Sequence, residues 1–148
     1  MNIIGLPQED ADLLLAMEKC RVDESVYQFP HLGGSIRIPL KSINLKEDFT
    51  LDIQRMSIQL KKNTFQNRAR INIVLVRIDI GGSPHRNPDG EEIPCPHIHL
   101  YREGFDDKWA YPLGEKFSNT ADCSKILEEF LKFCNVVQVP NIEKGLFV

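Results

Sequence analysis

The chain has 148 residues, of which 42% are hydrophobic and 26% charged, as expected for one ordinary globular domain. This composition argues against disorder over most of the chain. The net charge of −3 argues against a strongly basic nucleic-acid-binding protein or a polybasic membrane protein. No basic leader is visible, and no segment approaches the roughly 20 apolar residues of a membrane span, so we expect a cytoplasmic protein.

The spacing of apolar residues predicts a first helix from about Pro7 to Lys19. Pro7 suits the first turn of a helix, and the acidic residues that follow it favour a helix N-terminus. The apolar positions that recur at helical spacing are Leu13, Leu14, Met17 and Cys20.

Strand patterns dominate the middle of the chain. Alternating apolar and polar residues predict half-buried antiparallel strands at 26–29, 35–40, 49–53 and 56–61. Residues 71–80 differ, because both faces of that segment are apolar. We therefore expect Ile71 to Ile80 to be the central strand, covered on both sides.

A loop of about fifteen residues that is rich in proline, glycine and charge follows the central strand, and loops of that length are often functional. Two further strands are predicted at 97–102 and 109–113. Asn119 or Thr120 is expected to cap a second helix. The apolar stripe of that helix is formed by Cys123, Ile126, Leu127, Phe130, Leu131 and Cys134.

Together these elements predict one α+β domain over residues 1–148, with an antiparallel sheet of about five to seven strands and an N-terminal and a C-terminal helix. The four cysteines, Cys20, Cys95, Cys123 and Cys134, form no CxxC pair. Cys20 and Cys134 fall at core positions of the predicted helices. Free buried cysteines behave as small hydrophobic residues, which indicates a reducing compartment.

Three of the four histidines lie close together in sequence: His85, His97 and His99. Side chains alternate along a strand, so His97, His99 and Tyr101 are expected on one face, with the intervening Ile98 and Leu100 anchoring the other. The preceding loop can fold His85 and Arg86 towards this row. Any function is therefore expected to centre on residues 85–102.

One hypothesis for this segment is acid–base catalysis on a phosphodiester of RNA or a nucleotide, without a metal or other cofactor. Two imidazoles that titrate near neutrality can share the acid and base roles. The catalytic residues would then be His85, His97, His99 and Tyr101, and the substrate-binding residues Arg86, Arg102, Lys108 and Trp109. Trp109 can stack on a base.

Zinc binding is an alternative, with His85, Cys95, His97 and His99 as ligands, because zinc accepts cysteine and histidine in tetrahedral sites. A further alternative is a non-enzymatic protein that binds a protein partner through residues 83–112. The row can also be purely structural, since half-exposed strands commonly carry polar residues on one face. The residues alone leave these alternatives open, and the oligomeric state with them.

The stretches PHRNPDG, CPHIHLYREG and DKWAYPL, with the C-terminal run from Phe130 to Asn135, resemble a family of uncharacterised small bacterial and phage-borne proteins. That resemblance covers most of the chain and implies a bacterial or mobile-element origin, but no activity. The run from His97 to Tyr101 is also similar to the signature of the histidine-triad nucleotide hydrolases. Tyr101 stands where that signature has its third histidine, so the likeness implies no such activity. Short strands of this kind are also similar to those of small bacterial toxin-like proteins.

Overall fold

A computed structural model describes residues 5–56, 62–118 and 122–144. Within these ranges two helices and twelve strands follow one another along the chain. In chain order they are α1 (Gln8–Ala16), β1 (Lys19–Arg21), β2 (Val26–Gln28), β3 (Ser35–Ser42), β4 (Asp48–Arg55), β5 (Asn63–Ala69), β6 (Ile73–Ile80), β7 (His85–Arg86), β8 (Glu92–Ile93), β9 (His97–Leu100), β10 (Ala110–Pro112), α2 (Cys123–Phe133), β11 (Val136–Gln138) and β12 (Asn141–Glu143).

The main sheet contains eight strands in the order β10-β9-β6-β5-β4-β3-β1-β11. Its neighbours are antiparallel except for the parallel pair of β1 and β11. Two small two-stranded sheets, β2 with β12 and β7 with β8, lie beside it. The α+β class with a mostly antiparallel sheet is confirmed, whereas the predicted five to seven strands were too few, because strands of two or three residues leave almost no periodic signal.

The first helix is shorter than predicted. It ends at Ala16, and Met17 takes an extended conformation. Cys20, which was expected on this helix, lies instead on β1, where it is buried. The predicted apolar stripe of this helix was therefore only partly correct, since Leu14 is buried but Leu13 is 63% exposed.

The central strand is interior to the sheet, as predicted, with β5 and β9 on its two sides. It begins at Ile73 rather than at Ile71, which lies in a turn at a φ of 74° and is 80% exposed. The pairing with β5 shifts register next to Leu75. Val76 and Ile78 are in the hydrophobic core, so the alternating Arg77 and Asp79 point to the opposite face of the sheet.

The second helix packs on the core face of the sheet. Its buried residues are Ile126, Leu127, Phe130 and Leu131, which the predicted stripe contains. The ring of Phe130 lies 6.1 Å from that of Phe65 on β5. The described helix begins after Asp122, whose carboxylate accepts a hydrogen bond from the backbone N–H of Ser124. The predicted caps Asn119 and Thr120, like residues 57–61 of the strand predicted at 56–61, lie outside the described residues.

All four cysteines are unpaired, and Cys20 and Cys134 are buried. Among the described residues, no helix combines the length and the apolar character needed to cross a membrane. The cytoplasmic location stays a prediction.

Candidate functional site

The polar face of the sheet carries a cluster formed by four residues of two adjacent strands. β6 and β9 are antiparallel, and their register places Arg77 opposite His99 and Asp79 opposite His97. Residues paired across two strands project to the same face of a sheet. The cluster therefore depends on the pairing of these strands, and we refer to Arg77, Asp79, His97 and His99 as the β6–β9 cluster.

The two histidines are fully buried, with exposures of 2% for His97 and 0% for His99. Their ring centroids are 4.9 Å apart. Nδ1–H of His97 donates to the carbonyl oxygen of Ile93 (3.1 Å), and Nδ1–H of His99 donates to that of Asp107 (2.8 Å). A carbonyl oxygen can only accept, so in the neutral form of either ring these bonds place the proton on Nδ1 and make Nε2 an acceptor.

Asp79 lies between the two rings. Its Oδ2 is 3.2 Å from Nε2 of His97 and 3.2 Å from Nε2 of His99, while Oδ1 accepts a hydrogen bond from the hydroxyl of Thr64 (2.9 Å). Burial alone would raise the pKa of Asp79. The positive charges of Arg77 and Lys62 and the hydrogen bond from Thr64 favour the charged form, and the pKa of Asp79 lies well below its usual range, so Asp79 is a carboxylate.

Burial lowers the pKa of His97, an effect that the neighbouring Asp79 carboxylate opposes only in part. Burial thus favours the neutral form of the His97 imidazole. The Nε2 lone pair of this neutral ring then faces the Asp79 carboxylate, so two acceptors meet at 3.2 Å. Such an arrangement requires a proton or another cation between the two atoms.

Arg77 is the cation that the chain itself places in the cluster. One terminal nitrogen, NH1, donates to Asp107 at 2.8 Å. The other, NH2, lies 2.9 Å from Nε2 of His99 and 3.3 Å from Oδ2 of Asp79. His99 therefore has a donor for its lone pair.

His85 covers the cluster from the loop that follows β6. Its ring centroid lies 4.6 Å from that of His99 and 6.0 Å from that of His97. Its Nε2–H donates to the carbonyl oxygen of Lys108 (2.7 Å). The fold thus brings the three histidines of the segment together, although the rings of His97 and His99 are buried rather than open to solvent.

Tyr101 does not join the histidines. Tyr101 was predicted to share the strand face of His97 and His99. β9 ends at Leu100, so the alternation of side chains stops before Tyr101. The ring of Tyr101 belongs to the hydrophobic core, and its hydroxyl donates to the carbonyl oxygen of Leu6 (2.7 Å), just before α1.

The predicted substrate-binding residues also lie apart from the cluster. Arg102 stacks on Trp109, with its guanidinium carbon 3.9 Å from the ring centroid, and donates to the hydroxyl of Tyr111 (2.6 Å). Arg86 is exposed and 4.0 Å from Glu92. Lys108 is exposed, and only its backbone carbonyl contacts His85.

The ligand set predicted for zinc does not converge either. Cys95 precedes β9, and its Sγ lies 3.5 Å from Nδ1 of His97, the nitrogen that Ile93 already engages, and 3.9 Å from Nε2. The three groups whose donor atoms lie within 4.8 Å of one another are Asp79, His97 and His99. The structure thus combines two of the predicted ligands with a carboxylate from β6.

Comparison with known proteins gives a family for this chain. Residues 6–136 match the model of a family of unknown function (DUF6978). The chain belongs to this family. No curated protein and no solved structure matches it. The match includes the whole β6–β9 cluster and the loop that covers it, and it confirms the resemblance to an uncharacterised family.

Arg77 and Asp79 are the site residues that sequence reasoning missed. They are the two charged residues in the otherwise apolar run of β6, IVLVRIDI, and they alternate. That pattern indicates that the last residues of a central strand present polar side chains on one of its two faces. Asp107, which contributes both its carboxylate and its carbonyl oxygen, lies in a loop and has no periodic signal.

Proposed function

We propose that this domain binds a divalent first-row transition-metal ion, with zinc as the first candidate, through Asp79, His97 and His99. The observation that carries the proposal is the convergence of three acceptor atoms. Nε2 of each histidine lies 3.2 Å from Oδ2 of Asp79. A metal ion would turn this unfavourable contact between acceptors into coordination bonds.

The 3.2 Å distance from each histidine Nε2 to the carboxylate oxygen of Asp79 fits a metal of this size. Zinc binds histidine nitrogen and carboxylate oxygen at about 2.0 to 2.2 Å, which puts neighbouring ligands of a tetrahedral site about 3.3 Å apart. Two histidines with one carboxylate also suit other first-row ions, and geometry and availability decide among these.

The groups behind the ligands support the same proposal. Histidines that bind a metal usually donate the other ring N–H to a carbonyl or carboxylate, which fixes the ring and its tautomer. His97 donates to Ile93 and His99 to Asp107. The hydroxyl of Thr64 holds the second oxygen of Asp79. All three ligands are thus oriented by hydrogen bonds to other parts of the fold.

The metal-independent phosphodiester enzyme and the partner-binding protein remain hypotheses for the same segment. Acid–base catalysis has less support, because both nitrogens of His97 and of His99 have neighbours within the fold and neither ring is exposed. Substrate could reach these buried rings only after a rearrangement of the residues around them.

The test is a titration of metal-free protein with Co²⁺, followed by visible absorption, and with Zn²⁺ in competition. We expect one ion per chain and loss of binding in His97→Gln, His99→Gln and Asp79→Asn. His31→Gln is the matched control, since His31 is exposed and lies outside the cluster. Circular dichroism establishes that each variant is folded. Wild-type protein that binds no stoichiometric ion, or folded His97→Gln and Asp79→Asn variants that bind like wild type, would refute the proposal.

A further inference from the structure

The guanidinium of Arg77 occupies the region in which the proposed metal ion would lie. Its NH2 is 2.9 Å from Nε2 of His99 and 3.3 Å from Oδ2 of Asp79, which are two of the three proposed ligand atoms. A guanidinium and a divalent ion cannot share this position, because like charges at a few ångströms repel strongly in a buried site.

The surroundings of Arg77 give the guanidinium a second position. NH1 already donates to the Asp107 carboxylate at 2.8 Å. The side chains of Arg77 and Asp107 are 24% and 27% exposed, in contrast to the buried histidines, so both lie at the rim of the cluster. Nε of Arg77 is buried and has no hydrogen-bond partner among the described residues, which shows that the present position does not satisfy every donor of the guanidinium.

We propose that Arg77 is a built-in counter-cation, which neutralises Asp79 in the metal-free protein and moves fully onto Asp107 when a metal ion binds. This inference rests on the proposed metal site. It assigns Arg77 as a positioning residue that sets metal affinity by competition. Asp107 strengthens metal binding by holding the displaced guanidinium.

Competition and scaffolding predict opposite results for the removal of Arg77. If Arg77 competes, Arg77→Met removes a positive charge from the site, and Co²⁺ and Zn²⁺ bind about tenfold more tightly or better. If Arg77 is only a scaffold, the same substitution weakens binding. If Arg77→Met does not fold, Arg77→Gln is used in its place, because glutamine keeps a hydrogen-bond donor without the positive charge.

Arg68→Met is the matched control for a general effect of charge. Arg68 lies on the same polar face and pairs with Asp52 at 2.6 Å, outside the cluster. We expect its removal to change the metal affinity by less than about twofold, because the charge of Arg68 is paired with Asp52 and lies outside the cluster.

A double-mutant cycle with Asp107→Asn tests the role of the second position. If Asp107 acts by holding Arg77, Asp107→Asn weakens metal binding about tenfold in the wild-type background and has no effect in the Arg77→Met background. Equal weakening in both backgrounds would show that Asp107 acts on the ion directly, which overturns this part of the inference.

The outcomes separate this inference from the proposed function. Tighter binding by Arg77→Met, with the coupling to Asp107, supports both. If the wild-type protein binds metal, and folded Arg77→Met and Arg77→Gln bind it with equal or lower affinity, then Arg77 does not compete with the ion. The proposed metal site would remain valid in that case. If neither wild type nor the Arg77 variants bind Co²⁺ or Zn²⁺, both proposals are overturned.

Discussion

The side chain of Asn87 pairs with the backbone of Ala110 through both ends of its carboxamide. Nδ2 donates to the carbonyl oxygen of Ala110 (2.9 Å), and the N–H of Ala110 donates to Oδ1 (2.8 Å). Asn87 is buried and follows the two residues of β7. It therefore takes the place of a neighbouring strand at the outer edge of β10 and fixes the loop that carries His85 over the cluster.

Asn87→Asp tests this attachment with almost no change of shape. A carboxylate cannot donate, so it leaves the Ala110 carbonyl unpaired and places a second acceptor against it. We expect a loss of about 2 kcal/mol in the free energy of unfolding, measured by urea denaturation. The exposed Asn72→Asp is the control, with an expected change below about 0.5 kcal/mol. Equal unfolding midpoints for the two variants would show that the pairing is not needed for stability.

Lys19 joins the ends of the two helices from a fully buried position. Its Nζ donates to the carbonyl oxygens of Leu15 (2.8 Å), Met17 (3.0 Å) and Cys134 (2.6 Å). Lys19→Met leaves these three acceptors without this donor, and we expect a loss of about 3 kcal/mol in the free energy of unfolding. Lys41→Met, which removes a surface ion pair with Asp48, should cost less than about 1 kcal/mol. A similar loss of unfolding free energy in both variants would contradict the stabilising role given to the buried Lys19.

The same lysine predicts a dependence of stability on alkaline pH. Burial lowers the pKa of Lys19 from 10.5 to about 8. Between these two values the unfolded chain holds the proton and the folded chain does not, so stability rises with pH. The slope due to this group is at most about 1.4 kcal/mol per pH unit. The free energy of unfolding in urea, measured for wild type and Lys19→Met from pH 7.5 to 10.5, isolates the contribution of Lys19. Parallel plots of this free energy against pH would refute the prediction.

Metal binding should stabilise the folded protein. An ion that binds only the folded state adds about 2.7 kcal/mol when its free concentration is 100 times the dissociation constant. We therefore expect buffered zinc to raise the melting temperature of wild-type protein and a chelator to reverse the change. His97→Gln should show no rise, whereas His31→Gln should behave as wild type. A rise of equal size in His97→Gln would place the bound ion elsewhere.

Tyr101→Phe separates the structural role of Tyr101 in the core from the catalytic role that the sequence predicted for it. Loss of the hydrogen bond to Leu6 should cost about 1 kcal/mol in the free energy of unfolding, while the affinity for Co²⁺ stays unchanged. The half-buried Tyr27→Phe serves as the control for removal of a hydroxyl. A tenfold change in metal affinity in Tyr101→Phe but not in Tyr27→Phe would show that Tyr101 contributes to the metal site.

Local periodicity accounts for the parts of the fold that were predicted from sequence. The stripe of α2, the interior position of β6 and the shared face of His97 and His99 all follow from patterns within about ten residues. Periodicity failed where short-range signals conflict with long-range contacts. The spacing from Leu13 to Cys20 suits a helix, yet the chain leaves the helix at Met17, and Lys19 is drawn to the carbonyl of Cys134.

The sequence by itself determined that His97 and His99 project to one side of a strand and that the loop before them carries a third histidine. Only the tertiary structure decided which groups meet these rings. The antiparallel register of β6 and β9 brings Asp79 between the two imidazoles and Arg77 beside His99. That register depends on how the intervening loop closes and on the buried apolar faces of both strands, which are long-range constraints that no local pattern encodes. The same reason explains why Tyr101 lies in the core with Leu6, although alternation alone would have put it beside the histidines.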